Sequence, residues 1–503
     1  MRDTDQPHTG FPFEQVLAEF PRRRILVVGD IMLDRFSYGH VRRVSPEAPT
    51  PLIHLDHVDE FVGGAGNVAR NIAGLGANCD LVGIIGVDEA ANAICRFLSG
   101  QKSIEPNLVQ VSDRATTVKS RFVANLHNTH LLRADIEDAS SIAAAVEDKI
   151  IRAAAHSMKN ADVVLLSDYN KGVLSDRVIS GIVEQAREAA KPVVVDPKGK
   201  RYERYRGVDF VTPNLTELGE AVGLSVDTEE HQIAAAHSLI ERLGCRAVLV
   251  TRGEHGVLVV PAEGKAASFP ATARRIVDVS GAGDTLVAGF ALGVVSGAST
   301  ANAARLANLA AGIVVAKYGT ASASIQELKD LLLSRPDFHI NSKIFVSIAD
   351  LRQAVTSWRE AGLSVGFTNG CFDLLHEGHI ELLTEARAHC DRLIVALNSD
   401  ASVRKLKGPT RPIQSQKARA RIMAALGFVD AVTIFDEETP LQLISELLPN
   451  VLIKGADYRP DQVVGGSVVE EHGGRIVLVD LVPNSSTTGI VEKMKSNKSE
   501  ALV

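Results

Sequence analysis

Between Val163 and Val260 the chain repeats one pattern: a short apolar run, a few polar residues, then a stretch of helical periodicity. The runs are DVVLLSDYNKG, PVVVDPKGK, DFVTPNLTELGEA and AVLVTRGEHGVLVV. Strands with no alternating polar face are buried on both sides, as in a parallel sheet covered by helices. Strand–helix alternation implies right-handed crossovers, so a doubly wound α/β sheet is predicted. Every run ends in polar residues: Asp168 and Lys171, Asp196 and Lys198, Asn214 and Glu217, Thr251 and Gly253. One such end is an ordinary surface turn, but four along one sheet edge predict a cleft, because open α/β sheets bind ligands at the carboxyl ends of their strands.

The composition is compatible with that fold. A chain of 503 residues, 45% hydrophobic and 23% charged, has length for two or three cores and belongs to neither the disordered nor the fibrous class. A formal charge of -7, without a long basic run, argues against a nucleic-acid partner. Cys79, Cys95, Cys245, Cys371 and Cys390 are odd in number and form no C-x-x-C pair, so neither a disulfide framework nor a zinc site is suggested. The polar start MRDTDQPHTG has no signal-peptide core, and no run of about 18 apolar residues follows. A soluble cytoplasmic protein with no membrane partner is expected.

Three further segments carry candidate chemistry. In DVSGAGDTLVAGF (Asp278 to Phe290), Gly281, Ala282 and Gly283 can turn successive N–H groups toward one point, and a helix beginning at about Asp284 adds its positive end. Asp284 is then either a base beside an anion hole or an ordinary helix N-cap. RILVVGDIMLD reads as one buried strand with Asp30 and Asp34 past its end. VGGAGNVARNIAGLGAN supplies Gly63, Gly64 and Gly66 for close ligand approach, and Asn67 and Asn71 for amide hydrogen bonds. Thr116 to Asp135 alternates around an HNTH turn, which predicts a half-exposed antiparallel hairpin acting as a lid.

GGAGNVARNIAGLGA and DVSGAGDTLVAGF, with Asn214-x-x-Glu217 and TRGEHG (Thr251 to Gly256) between them, resemble the ribokinase-like sugar kinase family over roughly residues 20 to 330. The resemblance implies a ribokinase-like doubly wound sheet with a small β lid, working on ATP with Mg²⁺, and a monovalent cation is a further cofactor candidate. It implies that Asp284 takes the proton of a sugar hydroxyl while the N–H groups of Gly281, Ala282 and Gly283 stabilise the transferring phosphoryl. It makes Asn214 and Glu217 orient Mg²⁺ and phosphates, Glu217 through water, and makes Thr251, Gly253 and Gly256 shape the ATP site. It gives Asp34, Gly63, Gly64 and Asn67 the sugar, and the lid a role in a homodimer. No Walker A pattern is present, so a P-loop mechanism is not supported.

Around SRPDFHINSK the pattern lapses, which suggests a linker at 336–357 between a kinase domain at 1–335 and a second domain at 358–503. Ser364 to Thr368 reads as a strand, followed by NGCFDLLHEGHIELLTEA. His376 and His379 are spaced i, i+3 at a helix start, so both rings can leave one face beside free N–H groups; a zinc protease would need i, i+4. Two surface histidines are the plain alternative. RLIVALNSD then ends in Asp400, KLKGPTRPI brings Lys405, Lys407 and Arg411, VLIKGADY brings Lys454, and Ser485 to Thr488 open a last helix. Together these resemble the HxGH nucleotidyltransferase superfamily, a Rossmann-like fold, over about residues 360 to 492. The resemblance implies that His376, His379 and Lys454 act in catalysis, that Asp400 and Arg411 bind nucleotide, and that Ser486 and Thr487 hold the β,γ-phosphates. Gly489 and Ile490 stand where some relatives carry a basic residue.

A kinase ahead of an HxGH transferase, with DYNKG and NGCFDLLHEGH, resembles the bifunctional family of heptose 7-phosphate kinases and heptose 1-phosphate adenylyltransferases over nearly the whole chain. That implies ATP, heptose 7-phosphate and heptose 1-phosphate as ligands, a separate phosphatase between the two steps, and a place in lipopolysaccharide core synthesis. A cytidylyltransferase for another phosphorylated alcohol and a non-catalytic nucleotide sensor are the rival readings of the second half. Arg42, Arg43, Arg121, Arg133 and Lys171 are basic residues near lid or cleft, each more simply read as a solvated surface charge.

Overall fold

The structure is a computed structural model that describes residues 13–480 except 48, 126–128, 274–275, 318, 334–339, 341–342, 457–458 and 460–461. It divides into two units, Glu14–Leu331 and a second beginning at Leu332.

Among the described residues the first unit has thirteen strands: β1 (Arg24–Gly29), β2 (Ile31–Val44), β3 (Pro51–Gly64), β4 (Asn78–Ile85), β5 (Ile104–Gln110), β6 (Thr117–Ala124), β7 (Thr129–Ile136), β8 (Val163–Ser167), β9 (Val193–Asp196), β10 (Phe210–Val211), β11 (Ala247–Thr251), β12 (Val257–Pro261) and β13 (Ala267–Phe269). Nine form one sheet in the order β13-β12-β11-β10-β9-β8-β1-β4-β5, parallel except at the β11–β12–β13 edge. Alternate residues serve alternate layers: Leu26 and Val28 of β1 pack with Val164 and Leu166 of β8 against Ile179 and Ile182 of the helix Asp176–Glu188. The strand order reverses between β1 and β8, which opens a crevice at their carboxyl ends.

The expected lid hairpin is β6–β7, but the lid is larger than the sequence indicated: β3-β2-β6-β7 form a separate four-stranded sheet. RILVVGDIMLD is correspondingly two strands rather than one, β1 in the main sheet and β2 in the lid. The break falls at Asp30, whose buried carboxylate accepts the N–H groups of Tyr169 (2.9 Å), Lys171 (3.0 Å) and Val173 (3.1 Å). Asp30 therefore shapes the loop after β8 instead of facing a ligand.

The second unit is one parallel sheet of β14 (Ile344–Phe345), β15 (Val365–Gly370), β16 (Arg392–Asn398), β17 (Ala431–Phe435), β18 (Val451–Gly455) and β19 (Arg475–Val479), in the order β14-β17-β16-β15-β18-β19. Leu393, Val395 and Leu397 face one core and Ile394 and Ala396 the other, so both faces are covered. The linker expected at 336–357 needs correction. Ile344 and Phe345 pair with Val432 and Thr433, and the helix Ile348–Glu360 buries Leu351, Ala354 and Val355 in the second core. The strand Ile344–Phe345 begins just past SRPDFHINSK and, at two residues, is too short to show periodicity. No helix among the described residues is long and apolar enough to cross a membrane.

Candidate active sites

The helix Ala282–Val295 starts two residues earlier than expected, with Gly281 as N-cap in the left-handed region at φ 79°. Asp284 is thus its third residue, and its carboxylate is not used as a cap. Asn67 donates to Oδ2 at 2.7 Å and the Tyr169 hydroxyl to Oδ1 at 2.5 Å. Burial drives the carboxyl up to about 6, while these two hydrogen bonds pull the other way and the charge of Asp34 adds to the rise. A Cβ on Gly281 would meet Asn67 Nδ2 at 2.8 Å, whereas one on Gly283 would meet nothing within 4 Å, so space lies open beside the helix start. Among the described residues no acceptor meets the N–H of Gly281 or Gly283, while Ala282 N–H reaches Val279 O only at 3.3 Å.

Asn67 is fully buried on the helix Ala65–Gly74, where Arg70 donates to its Oδ1 at 3.4 Å and to Thr320 O at 3.0 Å. One turn on, Asn71 Oδ1 accepts the Thr285 hydroxyl at 2.8 Å. Asp34 projects from the lid strand β2 and pairs with Arg121 of β6 at 2.6 Å. A Cβ on Gly63 would sit 2.1 Å from Asp34 Oδ2, and one on Gly64, at φ 60°, would sit 2.3 Å from Asp30 O. Both glycines are therefore required for the lid strands to close over Asp34 and Asp30.

Asn214 and Glu217 form a capping box on the helix Leu215–Val222: Glu217 N–H donates to Asn214 Oδ1 at 2.9 Å and Asn214 N–H to Glu217 Oε2 at 3.0 Å. The remaining Oε1 of Glu217 accepts from Lys198 at 2.7 Å. Thr251 bridges to Asn214 at the end of β11, and Gly253 and Gly256 form the turn into β12, both at positive φ. Gly256 could not carry a side chain, since a Cβ there would meet Phe269 O at 2.1 Å. Between these groups stands Asp196, whose Oδ1 accepts the Thr212 hydroxyl at 2.9 Å. Burial, with the charge of Asp284 next, lifts it to about 8. Tyr169 was not singled out from the sequence; its signal was the aromatic residue inside DYNKG, flanked by two polar strand-end residues.

In the second unit the sheet order reverses between β15 and β18, and HEGH follows β15 there. His376 is the N-cap of the helix Glu377–Ala388, and its ring stacks on His379 with centroids 3.7 Å apart and planes 23° apart. Phe372, at φ 43°, lies 4.9 Å from His379 on ring centroids. Burial first, then the charges of His376 and Lys407, holds His379 down at about 4; burial also lowers His376. Both Nδ1 atoms are buried with no hydrogen-bond partner among the described residues. Lys454 of β18 donates to Asn369 Oδ1 at 2.6 Å, so it stands beside the end of β15.

Two expected nucleotide residues are held by the protein. Arg411 Nε donates to buried Asp373 at 2.6 Å, and Asp373 also accepts the N–H groups of Ile413 and Gln414. Asp400 accepts from Arg419 at 2.8 Å. Arg419, fully buried, also donates to Cys371 O (2.6 Å), Asn398 O (2.8 Å) and Gln414 O (3.1 Å), tying together loops after β15 and β16. Neither Asp373 nor Arg419 was singled out from the sequence. Ser486 and Thr487 lie outside the described residues. No group of three or more metal-ligating side chains is gathered among the described residues.

Residues 22–327 match the family model described as pfkB family carbohydrate kinase, and residues 367–489 the model described as Cytidylyltransferase-like. The class is thus a carbohydrate kinase joined to a nucleotidyltransferase-like unit. Relatives named Bifunctional protein HldE are 48% identical over 96% of this chain and 99% of the relative from Rhodopseudomonas palustris (strain BisB5), and 47% identical over 96% and 98% for that of Bradyrhizobium diazoefficiens. The chain belongs to this HldE family. Solved structures of similar fold include Arabidopsis thaliana ribokinase complexed with ribose and ATP (TM-score 0.51, 22% identity, 61% of this chain and 98% of that one). Escherichia coli phosphofructokinase-2 in complex with potassium is another (TM-score 0.54, 18% identity, 62% and 99%).

Proposed function

We propose that the protein is a bifunctional enzyme of ADP-heptose synthesis. Its first unit transfers the γ-phosphoryl of ATP to the C1 hydroxyl of D-glycero-β-D-manno-heptose 7-phosphate. Its second transfers an adenylyl group from ATP to heptose 1-phosphate and releases pyrophosphate. The observation that carries this reading is that one chain of this family bears a buried carboxylate at one helix start and a stacked histidine pair at another.

In the first reaction Asp284, ionised above about pH 6, accepts the hydroxyl proton as the sugar oxygen bonds the γ-phosphorus and the bond to the β,γ-bridging oxygen breaks, releasing ADP. Asn67 and Tyr169 fix the carboxylate's direction, and the N–H groups of Gly281, Ala282 and Gly283 face the charge on the phosphoryl. Asp34, Gly63 and Gly64 line the sugar side, and Asn214, Thr251, Gly253 and Gly256 the nucleotide side. Glu217 and Asp196 would hold Mg²⁺, a fit suggested by the buried Asp196 carboxylate lying close to the further negative charges of Asp284 and Glu217. Bound there, it would neutralise triphosphate charge.

In the second reaction the sugar phosphate oxygen attacks the α-phosphorus and the α,β-bridging bond breaks. His376, His379 and Lys454 meet the triphosphate charge; Arg411 and Asp400, through Asp373 and Arg419, frame the nucleotide. A phosphatase removes the 7-phosphate between the two steps, and the working form is a cytoplasmic homodimer. Mass spectrometry of products from heptose 7-phosphate, ATP and Mg²⁺ tests the reading: bisphosphate alone is expected, becoming ADP-heptose once a phosphatase is added. Dependence of the second step on CTP rather than ATP would instead assign a cytidylyltransferase.

A further inference from the structure

Arg70 stands three residues after Asn67 on the helix Ala65–Gly74, so the two side chains leave the same face. Its Nη1 donates to two acceptors, Asn67 Oδ1 at 3.4 Å and Thr320 O at 3.0 Å. Both residues also border the N-cap of the helix that carries Asp284: a Cβ on Gly281 would meet Asn67 Nδ2 at 2.8 Å and Thr320 Cγ2 at 3.6 Å. The guanidinium carbon of Arg70 lies 5.4 Å from the ring centroid of Phe61 and 5.3 Å from that of Phe97. Phe97 belongs to the helix Glu89–Ser99, and Phe61 to the lid strand β3, where it lies opposite Asp34 of β2. One guanidinium thus meets the lid, the sugar-side helix and the loop at Thr320.

Packing alone does not call for a cation in this place. Among the described residues no carboxylate lies within ion-pair distance of Arg70, and burial pushes its guanidinium below the ordinary arginine range, against the pull of Asp34 and Asp284. An apolar side chain would fill the same space without that desolvation. What the guanidinium adds is a set of donors. It can only donate and an ionised carboxylate can only accept, so an amide standing between them has one orientation, oxygen toward Arg70 and NH₂ toward Asp284. In that orientation Asn67 Nδ2 meets Asp284 Oδ2 at 2.7 Å. When Asp284 takes up the sugar proton, the carboxylate's half of this constraint is lost and the Arg70 half remains.

We infer that Arg70 is a positioning residue for phosphoryl transfer: anchored by Thr320 O, Phe61 and Phe97, it holds the Asn67 amide and, through it, the direction of the Asp284 carboxylate. The inference rests on the kinase reading above and adds a link from lid to base, because Phe61, beside Asp34, is one of the groups that seat Arg70.

The test uses the full chain with heptose 7-phosphate and ATP. Arg70→Met leaves a flexible apolar stem against the two rings and removes the donors. It is expected to lower kcat about 10- to 100-fold, the scale of a misdirected catalytic group. KM and the calorimetric Kd for heptose 7-phosphate should stay within about threefold, which also reports a folded kinase unit. Added to Asn67→Ala, the same change should cost less than about twofold more, because the amide it acts through is gone. Arg70→Lys keeps the charge without the planar fork, so it should lose less than Arg70→Met and be equally silent on Asn67→Ala. It decides the question if Arg70→Met binds no heptose 7-phosphate. An unchanged kcat would overturn the assignment. So would full multiplication of the two losses in the double variant, since Arg70 would then act independently of Asn67. A loss confined to KM and Kd would put Arg70 on the substrate and overturn it as well. A wild type that forms no bisphosphate from ATP is a different result, sinking the kinase reading itself.

Discussion

The Tyr169 hydroxyl lies 2.5 Å from Asp284 Oδ1, on the opposite carboxylate oxygen from the one that Asn67 meets at 2.7 Å. Both bonds favour the charged carboxylate and so work against its burial. In Tyr169→Phe one donor is gone and the carboxyl titrates higher, so the acid limb of the kinase pH profile moves up. A hydrogen bond to a charged group is worth about 1.5–3 kcal/mol, so the variant should lose roughly tenfold more activity at pH 6 than at pH 8. Profiles of kcat/KM that superimpose would show that the phenol does not tune the base.

The two units should fail independently. Asp284→Asn removes the base without changing its shape and should lower sugar phosphorylation about 10²- to 10⁴-fold, with pyrophosphate release unchanged. His379→Ala should do the reverse, with a loss of about 10²- to 10³-fold in adenylyl transfer. Separate assays of ADP and pyrophosphate on the full chain measure both. A kinase defect in His379→Ala would favour a sensing role for the second unit.

His379 titrates at about 4 when no nucleotide is bound, so both stacked rings are neutral at pH 7. A triphosphate beside them favours the protonated form and raises that value. ATP binding to the second unit should therefore take up protons near pH 6 and tighten as pH falls. Calorimetry of Asp284→Asn in buffers of different ionisation heat would detect the uptake, and a buffer-independent heat would contradict it.

Arg419 bonds three carbonyl oxygens and the Asp400 carboxylate from a fully buried position. Arg419→Met leaves those acceptors without their donor, at a cost of about 3–5 kcal/mol. Adenylyl activity should be lost on warming well before kinase activity. Equal heat tolerance of the two activities would show that Arg419 is dispensable to the loops it joins.

Much of the architecture was readable because strands buried on both faces spell continuous apolar runs, as in DVVLLS and RLIVALN. The helix start near Gly281 was readable from its glycines, though the sequence alone left Asp284 open between a base and an N-cap. What escaped notice depended on long-range pairing. RILVVGDIMLD looks like one strand until Asp30 is seen to gather three N–H groups from a loop some 140 residues away. Tyr169 acquires meaning only from its hydrogen bond to Asp284, far along the chain, and Asp373 and Arg419 only from loops that meet across the sheet edge. Asn214-x-x-Glu217 shows the converse, since a motif read for ligand binding is also a complete local cap.

Asn67 and Asn71 stand one turn apart on one helix and hold Asp284 and Thr285, neighbours on another. The base is thereby referenced to the sugar-side helix by two side-chain rivets, instead of to the strands that carry the nucleotide. Such a mounting keeps the proton acceptor fixed while the far end of the substrate is free to diverge. Across kinases built this way, a change of sugar would be accommodated in the lid, whose strands can lengthen or exchange charges without moving the carboxylate.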